Sequence, residues 1–118
     1  MAARSPITTH ILDGGRGAPA SGVQVILFHE DPSSQTYRGL AESLTDQNGR
    51  CEQLLPPGTS VATGNYYLRF KTRSYFQTRG ESSFYPFIDI HFEVTDPTQH
   101  HHVPLLLNNY SYSTYRGC

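Results

Sequence analysis

An all-β fold is what this sequence predicts, and three observations predict it. Short runs alternate apolar and polar residues, glycine- and proline-rich stretches separate the runs, and eight Tyr and six Phe among 118 residues supply side chains that pack well on strands. The length points to a single domain, residues 1–118, since 118 residues build one core and are too few for two.

The elements follow in order along the chain. "ITTHIL" alternates Ile7, Thr9 and Ile11 against Thr8, His10 and Leu12, and "DGGRGAPASG" after it is a loop. "VQVILFHE" is apolar on both faces for most of its length, which predicts an interior strand. "YRGLAESLTD" reads as a weaker, more exposed strand. Asn48-Gly49 in "DQNGR" is a hairpin signal, with the strand resuming at Arg50. "LLPPGTSVATG" is a loop, and "NYYLRFKT" then alternates Tyr66, Leu68 and Phe70 toward a core against Tyr67, Arg69 and Lys71. "RSYFQTRG" breaks the alternation and predicts the one short helix, with Gly80 as its C-terminal cap. "PFIDIHFEV" places Ile88, Ile90, Phe92 and Val94 on one face and Asp89, His91 and Glu93 on the other, and "HHHVPLLL" and "YSYSTYRG" are the last two strands. Seven or eight short strands with one helix favour a sandwich or a small barrel.

A formal charge of -1 removes the electrostatic reason to expect nucleic acid or an anionic membrane as partner. No window approaches the roughly 18 to 20 apolar residues of a membrane span. "MAARSPITTHILD" lacks the apolar stretch of a secretory signal, so the expected location is intracellular, cytoplasmic or peroxisomal, and Cys51 and Cys118 are expected to be thiols.

The histidines carry the candidate chemistry. His29 and His91 read as solvated surface residues. In the cluster, period-2 geometry puts His100 and His102 on one face with Pro104 and Leu106, and His101 on the other with Val103 and Leu105. Pro104 has no N–H for a ladder, which predicts an edge strand or an interruption there. His102, nearest the apolar run, is the member expected to be half-buried in a fixed tautomer, with His100 a rim residue. Zinc is one reading, with His100 and His102 as ligands and His10 as a third if the first strand runs alongside, but no dense Cys/His/Asp set supports a dedicated site. Catalysis is another: a histidine supplies a base with pKa near neutrality and an arginine stabilises negative charge. His10, Arg50 and His102 form such a site only if the fold brings them together, and a surface arginine with two packed histidines is the plainer alternative. A nucleophile-elbow serine, a phosphate-binding glycine loop and a basic stripe interleaved with aromatics are all missing from the sequence.

The stretches "TTHILD", "TDQNGR", "SYFQTRG", "FYPFIDIHF" and "HHHVPLLL…YSYSTYRGC" resemble the transthyretin-related proteins, specifically the hydroxyisourate hydrolases of purine breakdown, from about Ile7 to the last residue. The resemblance implies a transthyretin-like sandwich of two four-stranded sheets with one short helix, assembled as a homotetramer, a dimer of dimers. It places active sites in a channel between dimers, with the tail of the chain reaching in. It implies that the first strand neighbours the strand before the last, so that His10 and His102 face each other across the ladder. His10, Arg50 and His102 would be catalytic, and Tyr115, Arg116, Gly117 and Cys118 would bind substrate. The substrate would be 5-hydroxyisourate, a cyclic amide opened at a carbon–nitrogen bond by water without metal or cofactor. Family members end in serine where this chain has Cys118, and sulfur is a poorer hydrogen-bonding atom than a hydroxyl oxygen. Cys118 is therefore expected to shape the pocket rather than act as a nucleophile. A transthyretin-like carrier of a small aromatic ligand in the same channel, and a scaffold module, are the competing functions.

Overall fold

Alternation becomes burial along β1 (Ile7–Asp13), where Ile7, Thr9, Ile11 and Asp13 are buried and His10 and Leu12 reach the opposite face. The computed structural model describes residues 4–118; the first three residues, part of the stretch read above for a targeting signal, lie outside the described residues. After β1 come β2 (Ala18–Pro19), β3 (Gln24–Asp31), β4 (Thr36–Leu44), β5 (Arg50–Cys51), β6 (Gly64–Phe70), α1 (Thr72–Thr78), β7 (Ile88–Val94), β8 (His101–Leu107) and β9 (Tyr112–Thr114). They form two sheets. One runs β4-β3-β6-β7, and the other runs β2-β1-β8-β9 with the two-residue β5 also paired to β1. β1 and β8 run parallel, while the remaining pairs are antiparallel. The expected sandwich of two four-stranded sheets with one helix is therefore present, with β5 as a fifth strand in one sheet.

The core lies between the sheets. Val25 and Leu27 of β3, Tyr66, Leu68 and Phe70 of β6 and Ile88 of β7 meet Ile7 and Ile11 of β1 and Leu105 and Leu107 of β8, all nearly inaccessible. Burying each such side chain contributes about 1.5–3 kcal/mol before entropy is counted. The helix closes one end of the sandwich with Tyr75 and Phe76, and the Tyr75 hydroxyl donates to Asp13 Oδ2 at 2.8 Å, which fastens the helix to the end of β1. It ends as the sequence predicts: Gly80 adopts φ +71, its N–H reaches Gln77 O, and the N–H of Glu81 reaches Phe76 O.

Two expectations are corrected, on the Asn48-Gly49 turn and on His29, and for Pro104 the structure selects the interruption over the edge. Asn48-Gly49 does not join two strands of one sheet, because β4 lies in the β4-β3-β6-β7 sheet and β5 pairs with β1. The turn is organised by Asp46, whose Oδ1 accepts from the N–H groups of Asn48 at 2.8 Å and Arg50 at 3.0 Å. Gly49 is required there: it has φ +75, and a Cβ would lie 2.5 Å from Ile11 O. This turn carries the chain across the sandwich and delivers Arg50 to β1.

Pro104 lies in an interior strand, between β1 and β9. Its missing N–H costs no bond, because Gly117 N–H donates to His102 O and alternation puts the Pro104 nitrogen on that same side, between Thr114 and Gly117, where no ladder bond forms. His29 is not a solvated surface residue. Period-2 geometry puts it on the core face with Val25 and Leu27, and its ring stacks on Tyr66 at 4.4 Å.

Candidate active site

The outer face of the β2-β1-β8-β9 sheet gathers β1, β5, β8 and the tail of the chain. The parallel register of β1 and β8 sets Thr8 opposite His102 and His10 opposite Pro104, while the β1–β5 pair sets His10 opposite Arg50. His10 and His102 thus share a face but do not oppose each other. The register is two residues away from that arrangement, being anchored by the His101 N–H on Pro6 O at 2.8 Å. Thr8 takes the place opposite His102 that the resemblance gave to His10.

A cleft of about 340 Å³ opens on this face, lined among others by Thr8, Arg50, Glu52, His100, His102 and Cys118. Arg50 is brought in by the Asp46 turn and Cys118 by the tail. Gly117 N–H donates to His102 O at 2.9 Å, and a Cβ on Gly117 would collide with the His102 ring, so only glycine lets the tail cross this closely. His10 lies beside Arg50 and is not part of the lining. Tyr115 and Arg116 turn into a second cleft of about 250 Å³ between β7 and β8–β9, lined with Phe92 and His101 and sharing His102 with the first. There Arg116 Nη2 donates to Gln99 Oε1 at 2.9 Å.

Within the cleft the histidines are tied together. Thr8 Oγ1 lies 2.9 Å from His100 Nε2 and 2.8 Å from His102 Nδ1, and His100 Nδ1 donates to Ser5 O at 2.8 Å. The two imidazoles lie nearly parallel, 6.5 Å apart. His100 is therefore more than a rim residue, and Thr8, 7% exposed, is a member of the site that the sequence reading passed over. Its alternation with His10 placed it on the correct face, but its partner depends on a register the sequence does not encode locally.

Burial pushes the His102 pKa down from the ordinary 6.5, with His100, Arg50 and His10 acting in the same direction and Glu52 opposing. Burial and then Arg4 lower His100 against the Ser5 carbonyl, and burial and then Arg116 lower His101. Burial thus favours the neutral imidazoles in this cleft, beside the Arg50 guanidinium. Cys118 is an exposed thiol in the lining, whereas Cys51 is buried and pushed up to about 11 by desolvation. Among the described residues no three His, Cys, Asp or Glu side chains are grouped to hold a metal ion, and the facing nitrogens of His100 and His102 both meet Thr8. No helix among the described residues is long and apolar enough to cross a membrane. An imidazole, a guanidinium and a polar cleft at this spacing suit proton abstraction from water beside a developing oxyanion.

Comparison with known proteins shows the family. Residues 7–117 match the HIUase/Transthyretin family. The chain is 44% identical to the 5-hydroxyisourate hydrolase of Mus musculus over 113 residues, covering 96% of this chain and 95% of that one. Among solved structures it superposes on Klebsiella pneumoniae 5-hydroxyisourate hydrolase with a TM-score of 0.83 at 33% identity, covering 97% of this chain and all of that one. It also superposes on sea bream transthyretin in complex with thyroxine with a TM-score of 0.88 at 25% identity, covering 96% and 95%. With the sheet topology and the near full-length matches in agreement, the chain belongs to the HIUase/transthyretin family.

Proposed function

We propose that this chain is a hydrolase of 5-hydroxyisourate that opens the six-membered ring by attack of water on a ring amide carbonyl, a step of urate breakdown. The observation that carries the reading is the convergence of His102, Arg50 and Cys118, far apart in sequence, on one cleft. Relatives named 5-hydroxyisourate hydrolase support the substrate.

In this scheme His102 takes a proton from water as the oxygen attacks the carbonyl carbon. Arg50 faces the oxyanion and neutralises its charge. The intermediate collapses with cleavage of the carbon–nitrogen bond, and the ring nitrogen leaves with a proton. His10, beside Arg50, is assigned to orient the substrate or to deliver that proton. Gly117 and Cys118 shape the cleft, while Arg116 holds the tail in course through its contact with Gln99 and Tyr115 lines the neighbouring cleft. The scheme uses side chains and water, with no cofactor.

The reading extends to a homotetramer in which two such faces oppose. Support comes from the paired Leu12 and Leu106, an apolar, partly exposed pair on this face beside the polar cleft. The test is to generate 5-hydroxyisourate from urate with urate oxidase and follow its absorbance with the purified protein. Catalysed decay at micromolar protein supports the hydrolase; decay at the spontaneous rate, with saturable binding of an aromatic ligand, would favour a carrier.

A further inference from the structure

We infer that Thr8 and His100 are positioning residues, a relay anchored on the Ser5 carbonyl that holds His102 with its proton on Nδ1 and leaves Nε2 a bare lone pair. The inference rests on the proposed hydrolase reading for its consequence, and on hydrogen-bond polarity for its content.

The polarity is forced from one end. The Ser5 carbonyl can only accept, so the His100 nitrogen 2.8 Å from it, Nδ1, carries the proton. In neutral His100 the other nitrogen, Nε2, is then a lone pair, and it must accept the Thr8 hydroxyl proton across 2.9 Å. A hydroxyl has one proton to give. Thr8 Oγ1 therefore meets His102 Nδ1, 2.8 Å away, as acceptor, and His102 Nδ1 is the protonated nitrogen. Neutral His102 has no second proton, so Nε2 is the basic atom.

Three features make the relay a device rather than an incidental contact. Thr8 is 7% exposed, so water competes poorly for its hydroxyl, and Ser5, which fixes the end of the relay, is fully buried with its own hydroxyl spent on Ile7 O at 3.0 Å. Burial favours the neutral forms of His100 and His102, which the polarity argument requires. The backbone register holds Thr8 opposite His102, so the hydroxyl is placed by the ladder and not by a flexible side chain. The other charged or titratable groups that act on His102, Arg50, His10 and Glu52, do not touch its Nδ1. A histidine whose second nitrogen is held by a fixed partner has its tautomer chosen for it, and the wrong tautomer disables a general base.

The test combines a spectroscopic and a kinetic readout. Long-range proton–nitrogen NMR of protein labelled with nitrogen-15 histidine should show His102 protonated on Nδ1 and bare on Nε2 above pH 7. Thr8→Val keeps the shape and removes the hydroxyl. It should give His102 a mixture of tautomers and lower kcat by roughly ten- to a hundredfold, with KM changed by less than about twofold. Thr8→Ser should restore the tautomer and return kcat to within about threefold, a rescue that loss of packing alone would not show. A wild-type His102 protonated on Nε2, or a Thr8→Val protein with unchanged tautomer and kcat, would overturn the relay. The wild-type spectrum needs no variant to fold and no activity. If the tautomer is as expected and 5-hydroxyisourate is not hydrolysed, the functional reading fails and the relay stands; hydrolysis with the opposite tautomer removes the relay alone.

Discussion

The outer faces of the two sheets carry the same residue types and put them to different uses. On the β4-β3-β6-β7 sheet, His91 stacks on Tyr67 at 4.8 Å with Tyr37 against its edge at 5.6 Å. Arg69 there pairs with both oxygens of Asp89 at 2.9 and 3.0 Å and lies 4.0 Å over the Phe87 ring. On the other sheet His102 is held at one nitrogen by Thr8, and Arg50 has Glu52 at 3.7 Å, too long for a hydrogen bond. An arginine whose donors are paired and whose flat face is covered, or a histidine set among aromatic rings, is packing. The same side chain with reactive atoms left over in a cleft can do chemistry.

Substitutions of matched residues break or sharpen that contrast. Arg50→Ala should lower kcat/KM by roughly a hundred- to a thousandfold through loss of oxyanion stabilisation. Arg69→Ala should leave kcat/KM within about twofold while costing about 1 kcal/mol of stability in denaturant titration, since it loses a half-buried ion pair and a ring contact.

Two glycines make the next pair. Gly117→Ala forces a methyl into the His102 ring and should cost roughly tenfold in kcat with little change in Tm, because the tail is exposed on its other side. Gly49→Ala, at φ +75 and 2.5 Å from Ile11 O, should cost about 2 kcal/mol or more of stability.

Acid acts on both activity and fold. In the proposed scheme neutral His102 is the active form, and burial lowers its pKa, so the acid limb of kcat/KM should have its midpoint below 6.5. His100, His101 and His102 all have pKa values lowered from 6.5 in the folded state, so the unfolded chain takes up protons first. Their contribution is fully present above about pH 6.5 and is lost as pH falls toward the folded values. Thermal melts should show Tm declining below about pH 6.5, and a Tm that rises there would contradict the burial of this cluster. A small effect is expected of Cys118→Ser. It should leave kcat/KM within about threefold, and mass spectrometry during turnover should find no adduct on Cys118.

Much of this was legible where a side chain reports its own environment. The alternation of Tyr66, Leu68 and Phe70 gave the buried face of β6, and Gly80 gave the helix stop. The histidine cluster split by face as period-2 geometry requires, and His102 is half-buried as expected. What failed depended on partners. Asn48-Gly49 looks locally like a hairpin, but Ile11 N–H donates to Gly49 O at 2.8 Å, so this turn bonds to β1 rather than folding β5 back onto β4. Pro104 allows an edge strand or an interrupted ladder, and only the course of the tail, which leaves a gap at that point, selects the second. Thr8 looked like a spacer between two strand residues, and only the β1–β8 register turns it into the link between two imidazoles. Local patterns fix faces; registers between distant strands fix sites.

The central claim is that chemistry belongs to the β1–β8 face and to His102 in particular. The most direct measurement is the decay of enzymatically generated 5-hydroxyisourate with His102→Asn and His91→Asn proteins side by side, each confirmed folded by circular dichroism. The prediction is a loss of roughly a hundredfold or more for His102→Asn and less than about twofold for His91→Asn. Equal activity of the two variants, or retention of wild-type kcat in His102→Asn, would contradict it.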